Sequence, residues 1–315
     1  GAFPNLSRGT TQKPDTGCIS ISQIPVNEGT AMNITIMPNL DKKNSAACTR
    51  EVSRKLHSLG VGVYLDECYK KEFSDCPVLF APYDEVVERC DVIIAIGGDG
   101  TIIRHAKSAA LHGKRLFGIN EGRVGFLATM EPNQMEKIED LVLGRYQVER
   151  RMMLEISHYS GQEKKTWYAL NDVVISKGPF TRMIDFAVTC SGRLVGDYRG
   201  DGAVFATPTG STAYALSAGG AIVDPALETI EMVAIAPHSL LSRPILFSPD
   251  SVLIVTAQQR SEQSHAYFSV DGEAEIPLFT GGRISIRRSP VYVELIDLGG
   301  KAFYEVLQKK IIGRG

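Results

Sequence analysis

Residues 91–101 read Asp-Val-Ile-Ile-Ala-Ile-Gly-Gly-Asp-Gly-Thr, and this stretch decides the fold of the first half of the chain. The apolar run Val92–Ile96 has the length of a strand buried on both faces, and it ends in a turn with three glycines within four positions. A helix is predicted directly afterwards, from about Ile102 to Leu111. A buried strand, a glycine-rich turn and a helix in this order predict a parallel sheet covered by helices on each side.

The segments on either side of this stretch repeat the alternation of strand and helix. Strands are predicted at residues 33–37, 61–65 and 115–119, and helices before Gly60, at 84–90 and at 134–143. The helix at 134–143 is followed by Gly144, which is typical of a helix end. We therefore predict an α/β domain over residues 32–145.

After residue 145 the composition changes to short, β-rich segments bounded by Gly, Pro, Ser or Asp. Strands are predicted at residues 152–158, 166–175, 183–190, 194–198, 252–257, 265–270, 283–287 and 291–296. A helix near Ser211–Ala218 interrupts them. This pattern predicts a mainly β second domain over residues 146–300. The last segment, 301–315, is expected to return to the first domain as either a strand or a helix.

Residues 1–31 differ from the rest of the chain. They carry Gly, Thr, Ser, Pro and Asn without periodicity, and they lack the cationic start and apolar core of a signal peptide. We expect an appended or disordered leader that ends before Met32.

Composition restricts the class of protein. The chain has 315 residues, 43% of them apolar, with 34 Lys and Arg against 36 Asp and Glu. This length is enough for two domains, and the balanced charge argues against nonspecific binding to nucleic acid or acidic membranes. No apolar run approaches the roughly 18 residues that a membrane helix needs. We expect a cytoplasmic protein with neither nucleic acid nor a membrane as a partner.

Cysteine and histidine spacing gives no sign of a metal site. The six cysteines form no C-x-x-C pair, and the six histidines form no H-E-x-x-H motif. We interpret the cysteines as reduced thiols and predict no dedicated metal site.

The glycine-rich turn is suited to phosphate. Gly97, Gly98 and Gly100 let the backbone approach a ligand, and the N–H groups at the start of the following helix point to the same place. The turn is neither a Walker loop, because no Lys-Ser/Thr follows, nor the dinucleotide fingerprint, because Ile103 stands where its third glycine would be. Asp99 would repel phosphate unless a divalent cation lies between them or a substrate hydroxyl takes its hydrogen bond, so phosphoryl transfer is indicated. A turn in which Asp99 caps the helix is the alternative.

Two further segments carry polar groups suited to a nucleoside. Thr207–Tyr214, Thr-Pro-Thr-Gly-Ser-Thr-Ala-Tyr, offers hydroxyl groups, exposed backbone at Gly210 and one aromatic ring. The pair Asn171-Asp172 can hold a base edge and a ribose hydroxyl. Taken singly, the first can be a turn that feeds a helix and the second a simple turn. Asp271-Gly272 is predicted to be a hairpin turn.

These motifs occur in this order over nearly the whole chain from Met32 onward, and together they resemble the NAD kinase family. Gly97–Thr101 matches the GGDGT loop of that family, Asn171-Asp172 its Asn-Glu/Asp pair, and Thr207–Tyr214 its TPTGSTAY segment. Phe126 lies in what resembles its N-x-G-x-x-G-F stretch. The resemblance implies a Rossmann-like α/β N-terminal domain, a β-rich, sandwich-like C-terminal domain, an active site between them, and a homotetramer or homodimer.

The resemblance also implies a reaction, in which the γ-phosphoryl group of ATP moves to the 2′-hydroxyl of the adenosine ribose of NAD and gives NADP. Polyphosphate stays open as an alternative donor. Asp99 would accept the hydroxyl proton, and Mg²⁺ or another divalent cation would be carried by the nucleotide. The groups facing phosphates would be Gly97, Gly98, Gly100, Thr101 and Arg199. The residues binding NAD would be Phe126, Asn171, Asp172, Asp201, Thr209, Thr212, Ala213 and Tyr214.

Two other functions stay open at this point. A lipid kinase of the diacylglycerol or sphingosine type shares a GGDGT-like loop, and it predicts a membrane-facing apolar or basic patch that the sequence does not show. A noncatalytic dinucleotide sensor would keep the pocket without turnover, but a sensor gains nothing from Asp99 beside phosphates. Asp172 also departs from the many family members with Glu there, and its reach is shorter by one methylene.

Overall fold

The computed structural model describes residues 32–121, 125–160, 163–178, 182–239, 241–258, 266–299 and 303–310. The predicted leader, residues 1–31, lies outside these ranges. Within them, no helix combines the length and the apolar character that a membrane crossing requires. Free thiols are present at Cys48, Cys68, Cys76, Cys90 and Cys190.

Parallel strands alternate with helices in the N-terminal part. The strands are β1 (Asn33–Pro38), β2 (Gly62–Asp66), β3 (Leu79–Ala81), β4 (Val92–Gly97) and β5 (Arg115–Asn120), and the helices are α1 (Ser45–Ser58), α2 (Tyr83–Arg89), α3 (Asp99–Leu111) and α4 (Ile138–Val142). Their spatial order is β5-β4-β1-β2-β3, and all neighbours are parallel. The order reverses between β4 and β1. Ligands of open α/β sheets bind at the carboxyl ends of the strands beside such a reversal, which is where Gly97 lies.

Strand β4 is buried along its whole length, as the sequence predicts. Ile94 and Ile96 face the apolar cluster that includes Val52 and Leu56 of α1. Ile93 and Ala95 face the opposite cluster, which includes Ile102 of α3. Because helices cover both faces, the end of β4 and the start of α3 are held between two packed layers.

The C-terminal part is mainly antiparallel. Its elements are β6 (Gln147–Ser160), β7 (Glu163–Ala169), β8 (Asp172–Lys177), β9 (Ile184–Cys190), β10 (Arg193–Gly200), β11 (Gly202–Ala206), α5 (Tyr214–Ser217), β12 (Ile230–Ile235), β13 (Ile245–Phe247), β14 (Leu253–Gln258), β15 (Ala266–Val270), β16 (Ile276–Leu278), β17 (Arg283–Asp297) and α6 (Phe303–Lys310). A six-stranded sheet has the order β13-β12-β11-β8-β15-β16. The remaining strands extend the first sheet through β17, which pairs in parallel with β5.

A shared apolar core lies between the two sheets of the C-terminal part. It contains Phe186 of β9, Phe205 of β11 and Phe268 of β15, all almost fully buried. The predicted fold class, an α/β part followed by a β-rich, sandwich-like part, is confirmed.

Three predicted strands differ from those observed. Residues 166–175 form two strands in different sheets, β7 and β8, because the N–H groups at the break donate to a side chain of another segment. Residues 283–287 and 291–296 belong to one strand, β17, whose pairing shifts between Arg288 and Tyr292. Pro290 lies in that shift, where its missing N–H is tolerated.

The C-terminal segment, for which the sequence left strand and helix open, forms a helix, α6. Val306 and Leu307 are buried, and the ring of Phe303 lies 5.8 Å from that of Phe126. Helix α6 therefore contacts the segment that follows β5.

Candidate active site

The carboxylate of Asp99 is held by the backbone of a neighbouring segment. Asp99 is the first residue of α3, and Gly98 is the helix cap. The N–H groups of Phe126 and Leu127 donate to the two oxygens of Asp99 at 2.8 and 3.0 Å. The side chain therefore does not cap its own helix, and its orientation is fixed from outside.

The glycines around Asp99 serve two different purposes. A Cβ on Gly97 would lie 2.2 Å from Oγ1 of Thr101, and one on Gly125 would lie 2.1 Å from Oδ1 of Asp99. These two positions have no room for a side chain. At Gly98 and Gly100 an added Cβ would meet nothing within 4 Å, so the backbone there is open to a ligand.

Asn171 is fixed from two sides. The carboxylate of Asp271 accepts hydrogen bonds from the N–H groups of Leu170, Asn171 and Asp172 at 2.7, 2.8 and 3.0 Å. From the other side, the N–H of Thr207 donates to the carbonyl of Asn171 at 2.8 Å. A Cβ on Gly210 would lie 2.1 Å from the same carbonyl oxygen, so only glycine fits there.

Asp271 lies in the hairpin turn between β15 and β16, where the sequence predicts a turn, and its φ is +48°. The turn is partly exposed, but the carboxyl group faces inward toward residues 170–172. Its function as an anchor for Asn171 was not predicted.

The segment 207–214 forms a 3₁₀ turn at Thr209–Thr212, followed by α5. The hydroxyl of Ser211 is fully buried, donates to the carbonyl of Pro208 at 2.7 Å and accepts from the N–H of Val223 at 3.0 Å. Ser211 is therefore part of the support. Thr209, Thr212 and Ala213 remain on the open side.

A cavity of about 450 Å³ joins these segments. Its described lining residues are Asp99, Ile103, Phe126, Leu127, Asn171, Thr209, Thr212, Ala213, Leu216 and Lys310. The glycine-rich turn and the hydroxyl-rich segment, 108 positions apart at Asp99 and Thr207, thus share one cleft. Hydroxyl, amide and apolar groups in one cleft of this size suit a nucleoside.

Several predicted residues lie outside this cavity. Thr101 is 4% exposed, and its hydroxyl oxygen accepts from the Nδ2 of Asn39 at 3.2 Å. Asp172 is 6% exposed, whereas Tyr214, the first residue of α5, is 45% exposed. The α-carbon of Gly97 faces Thr101 rather than open space.

Arg199 and Asp201 lie in a different region. Arg199 lines a separate cavity of about 510 Å³ together with His238 and Leu241. Asp201 forms an ion pair with Lys177 at 2.9 Å. Only some of the predicted site residues therefore line the Asp99 cavity.

The two carboxyl groups beside Asn171 have raised pKa values. Burial, with a smaller contribution from the charge of Asp271, raises the pKa of Asp172 to about 7. Burial also raises the pKa of Asp271 to about 6, although the three N–H donors act in the opposite direction. Asp172 therefore changes its charge near neutral pH.

No group of three or more His, Cys, Asp or Glu in the described ranges is arranged to hold a metal ion.

Five residues that form or support the site were missed by the sequence analysis. One of them, Leu127, follows the predicted Phe126, lines the cavity and donates its N–H to Asp99. Ile103 lies one helical turn after Asp99, a spacing that places both on one side of α3 and was available as a signal. Leu216, Asp271 and Lys310 reach the site through tertiary structure, and no motif in the sequence marks them.

Family models and relatives match the chain over most of its length. The model described as "ATP-NAD kinase N-terminal domain" matches residues 34–146, and "ATP-NAD kinase C-terminal domain" matches residues 170–298. The NAD kinase of Symbiobacterium thermophilum is 36% identical over 277 residues, which cover 87% of this chain and 97% of that protein. The NAD kinase of Heliobacterium modesticaldum is 38% identical over 239 residues, covering 74% and 84%.

Solved structures agree with these matches. An NAD kinase from Archaeoglobus fulgidus in complex with ATP superposes with a TM-score of 0.68 at 27% identity, covering 91% of this chain and 100% of that one. Yeast NADH kinase complexed with NADH has the same fold, with a TM-score of 0.82 at 23% identity and coverage of 91% and 89%. The chain therefore belongs to the NAD kinase family and is an enzyme with NAD kinase activity.

Proposed function

We propose that the Asp99 cavity binds the adenosine half of NAD and that Asp99 is the general base for transfer of the γ-phosphoryl group of ATP to the ribose 2′-hydroxyl. The observation that carries this proposal is the carboxylate of Asp99, oriented by two backbone N–H groups into a cavity that Asn171 and Thr209 also line. A carboxylate accepts at several lone pairs, so both oxygens keep capacity for a substrate hydroxyl.

In this reaction the 2′-hydroxyl donates its proton to Asp99 as its oxygen bonds to the γ-phosphorus. The bond from that phosphorus to the bridging oxygen breaks, ADP leaves, and Asp99 later releases the proton to solvent. Positioned proton transfer of this kind contributes roughly 10²- to 10⁴-fold in rate. The open backbone at Gly98 and Gly100 is where we place the phosphates of the donor.

Asn171 provides an amide that both donates and accepts, which suits an adenine edge, and Phe126 and Leu127 provide apolar surface. Thr209, Thr212 and Ala213 complete the nucleoside pocket. Asp172 is buried beside Asn171 and does not line the cavity. Its proposed hydrogen bonds to the ribose therefore need the side chain to turn toward the cavity as a carboxylate, and NAD binding then strengthens as pH rises through its pKa of about 7.

ATP is the proposed donor, since the Archaeoglobus fulgidus relative was solved in complex with ATP. We propose that it binds as its complex with Mg²⁺ or another divalent cation, because a cation between Asp99 and the phosphates removes their repulsion. The cation supplies charge neutralisation at the phosphate oxygens beside Asp99.

The nicotinamide half of NAD is proposed to extend beyond the Asp99 cavity. Arg199 and Asp201, which lie outside it, are assigned to a phosphate and to the nicotinamide end. We also propose a homodimer or homotetramer, as the family resemblance implies, and light scattering of purified protein tests this.

An acceptor assay tests the proposed function. Purified protein with MgATP is given NAD, diacylglycerol or sphingosine in parallel, and we expect phosphorylation of NAD alone, with the product identified as the 2′-phosphate. Phosphorylation of either lipid would support the lipid kinase alternative. Tight NAD binding without any product would support a noncatalytic sensor.

A further inference from the structure

Helix α6 brings a cation into the cavity that contains Asp99. Lys310, the last residue of α6, lines that cavity, and its Nζ lies 4.8 Å from the centroid of the Phe126 ring. The backbone N–H of Phe126 is one of the two donors to Asp99. The ammonium group and the catalytic carboxylate are therefore placed around the same residue.

The position of Lys310 is fixed by the rest of α6. Val306 and Leu307 are buried, and the ring of Phe303 packs on that of Phe126. The hydroxyl of Tyr304 donates to the carboxylate of Asp224. These contacts attach α6 to both halves of the chain, so the cavity retains the lysine at its edge.

Lys310 forms no ion pair with the residues that the structure describes. In the described part of the chain, no carboxylate oxygen lies within 4 Å of its ammonium nitrogen. Its described polar contact is with the face of the Phe126 ring, which attracts a cation without pairing with it. Lys310 is the positive residue among the described lining residues, and Asp99 the negative one.

The reaction places new negative charge next to this lysine. NAD arrives with a neutral 2′-hydroxyl, and NADP leaves with a phosphate on that oxygen. As the bridging bond to ADP breaks and the phosphoryl group approaches the 2′-oxygen, its oxygens are repelled by Asp99 until that carboxylate takes the hydroxyl proton. A fixed cation in the same cavity offsets this repulsion and favours the transition state over the bound substrates.

We propose that Lys310 binds the phosphoryl group during its transfer and then holds the 2′-phosphate of NADP. This assignment rests on the proposed role of Asp99. It makes Lys310 a catalytic residue that also binds NADP more tightly than NAD, since only NADP carries the 2′-phosphate.

Lys310→Met tests the proposal, because methionine keeps an apolar chain on Phe126 and removes the charge. Lys309→Met is the matched control, since Lys309 is the exposed neighbour on the same helix. Lys310→Arg restores the charge. The dissociation constants of NAD and NADP are measured by calorimetry for each variant, together with kcat.

In Lys310→Met we expect NADP affinity and kcat to fall roughly 10- to 100-fold, as for loss of a charge-assisted hydrogen bond, with NAD affinity within about twofold. Lys310→Arg recovers part of both, and Lys309→Met matches the wild type. Equal losses for NAD and NADP, or unchanged NADP affinity, would overturn the proposal. Unchanged NAD affinity also shows that the variant is folded.

A second measurement compares the salt dependence of binding in the wild type and in Lys310→Met. In the wild type, raising the salt concentration should weaken NADP binding more than NAD binding, and this difference should shrink in Lys310→Met because the ammonium group is gone. Equal salt dependence would contradict the proposal. Both binding comparisons run without turnover, so their failure is distinguishable from failure of Asp99 as the base.

Discussion

Asp99 and Asp271 are each held by consecutive backbone N–H groups of a distant segment, but they lie in different surroundings. Asp99 stands at the carboxyl end of a parallel strand and lines the cavity, with donors at Phe126 and Leu127. Asp271 stands in a hairpin turn, with three donors at residues 170–172, and it is not among the residues that line the cavity. The same local interaction positions the proposed general base in one region and Asn171, the proposed adenine ligand, in the other.

Asp99 is thus assigned to the reaction itself, and Asp271 to holding the NAD site in place. A change at Asp99 or its donors is expected to act on kcat, whereas a change at Asp271 is expected to act on the KM for NAD and on stability. Variants at the two positions therefore test the two assignments separately.

Gly125→Ala is expected to have the largest effect among the supporting positions. The added Cβ would lie 2.1 Å from Oδ1 of Asp99, so the carboxylate or its donor segment has to move. A misplacement of about 1 Å at a catalytic group costs roughly 100-fold in rate, and we expect that loss in kcat. Steady-state kinetics measure it. A kcat within threefold of the wild type, in a variant with an unchanged melting temperature, would show that the orientation of Asp99 is unimportant.

Asp271→Asn is expected to act on binding. The amide nitrogen would face an N–H donor and leave it unpaired, which costs about 1–3 kcal/mol, and Asn171 would lose its fixed position. We predict a KM for NAD about tenfold higher, kcat within threefold, and a melting temperature lower by several degrees.

Glu273→Gln is the control for Asp271→Asn, because Glu273 is exposed in the same turn. It should leave KM and melting temperature unchanged. If Asp271→Asn instead lowered kcat with KM intact, Asp271 would belong to the chemistry and the contrast between the two aspartates would be wrong.

Asp172 gives a smaller, pH-dependent effect. Its pKa of about 7 means that the carboxylate proposed to bind ribose forms as pH rises, so kcat/KM for NAD should increase between about pH 6 and 8 and level off above that range. Asp172→Asn should remove this rise. A rise that persists unchanged in the variant would assign the titration to another group.

The same pKa predicts the sign of a stability change. Between the ordinary aspartate pKa of 3.8 and about 7, the folded chain binds more protons at Asp172 than the unfolded chain does. This group therefore stabilises the fold below that interval, and its contribution is lost as pH rises to about 7. Asp172→Asn should gain thermal stability relative to the wild type above pH 7, and calorimetry at pH 5 and 8 measures the difference.

Local sequence signals predicted the α/β part well. Residues 91–101 include both the apolar run that predicts a buried strand and the glycines and Asp99 that predict a phosphate-binding turn. The strand, the turn and Asp99 were therefore all predictable from one short segment. The break between β7 and β8 was not, because it depends on Asp271, about a hundred positions away. Lys310 was missed for the same reason, since only the packing of α6 on Phe126 brings it to the cavity.

Polar residues in the motifs were harder to assign individually. Thr101, Ser211 and Gly210 belong to conspicuous motifs, yet their side chains or α-carbons face Asn39, Val223 and Asn171, where they support the site. Spacing identifies the segment that forms a site. Which side chains face the ligand depends on backbone conformation, which spacing does not reveal.

The most direct measurement is made on Asp99→Asn, with kcat and the dissociation constant of NAD determined on the same preparation. Asparagine retains the size of the side chain and one acceptor, but it does not accept a proton from the ribose. Its amide nitrogen leaves one of the two N–H donors unpaired in the free and in the NAD-bound enzyme alike, so this cost lowers stability rather than NAD affinity. We predict that kcat falls roughly 10²- to 10⁴-fold while NAD affinity stays within about threefold. A kcat within tenfold of the wild type, or a loss of NAD affinity as large as the loss of rate, would contradict the assignment of Asp99 as the base.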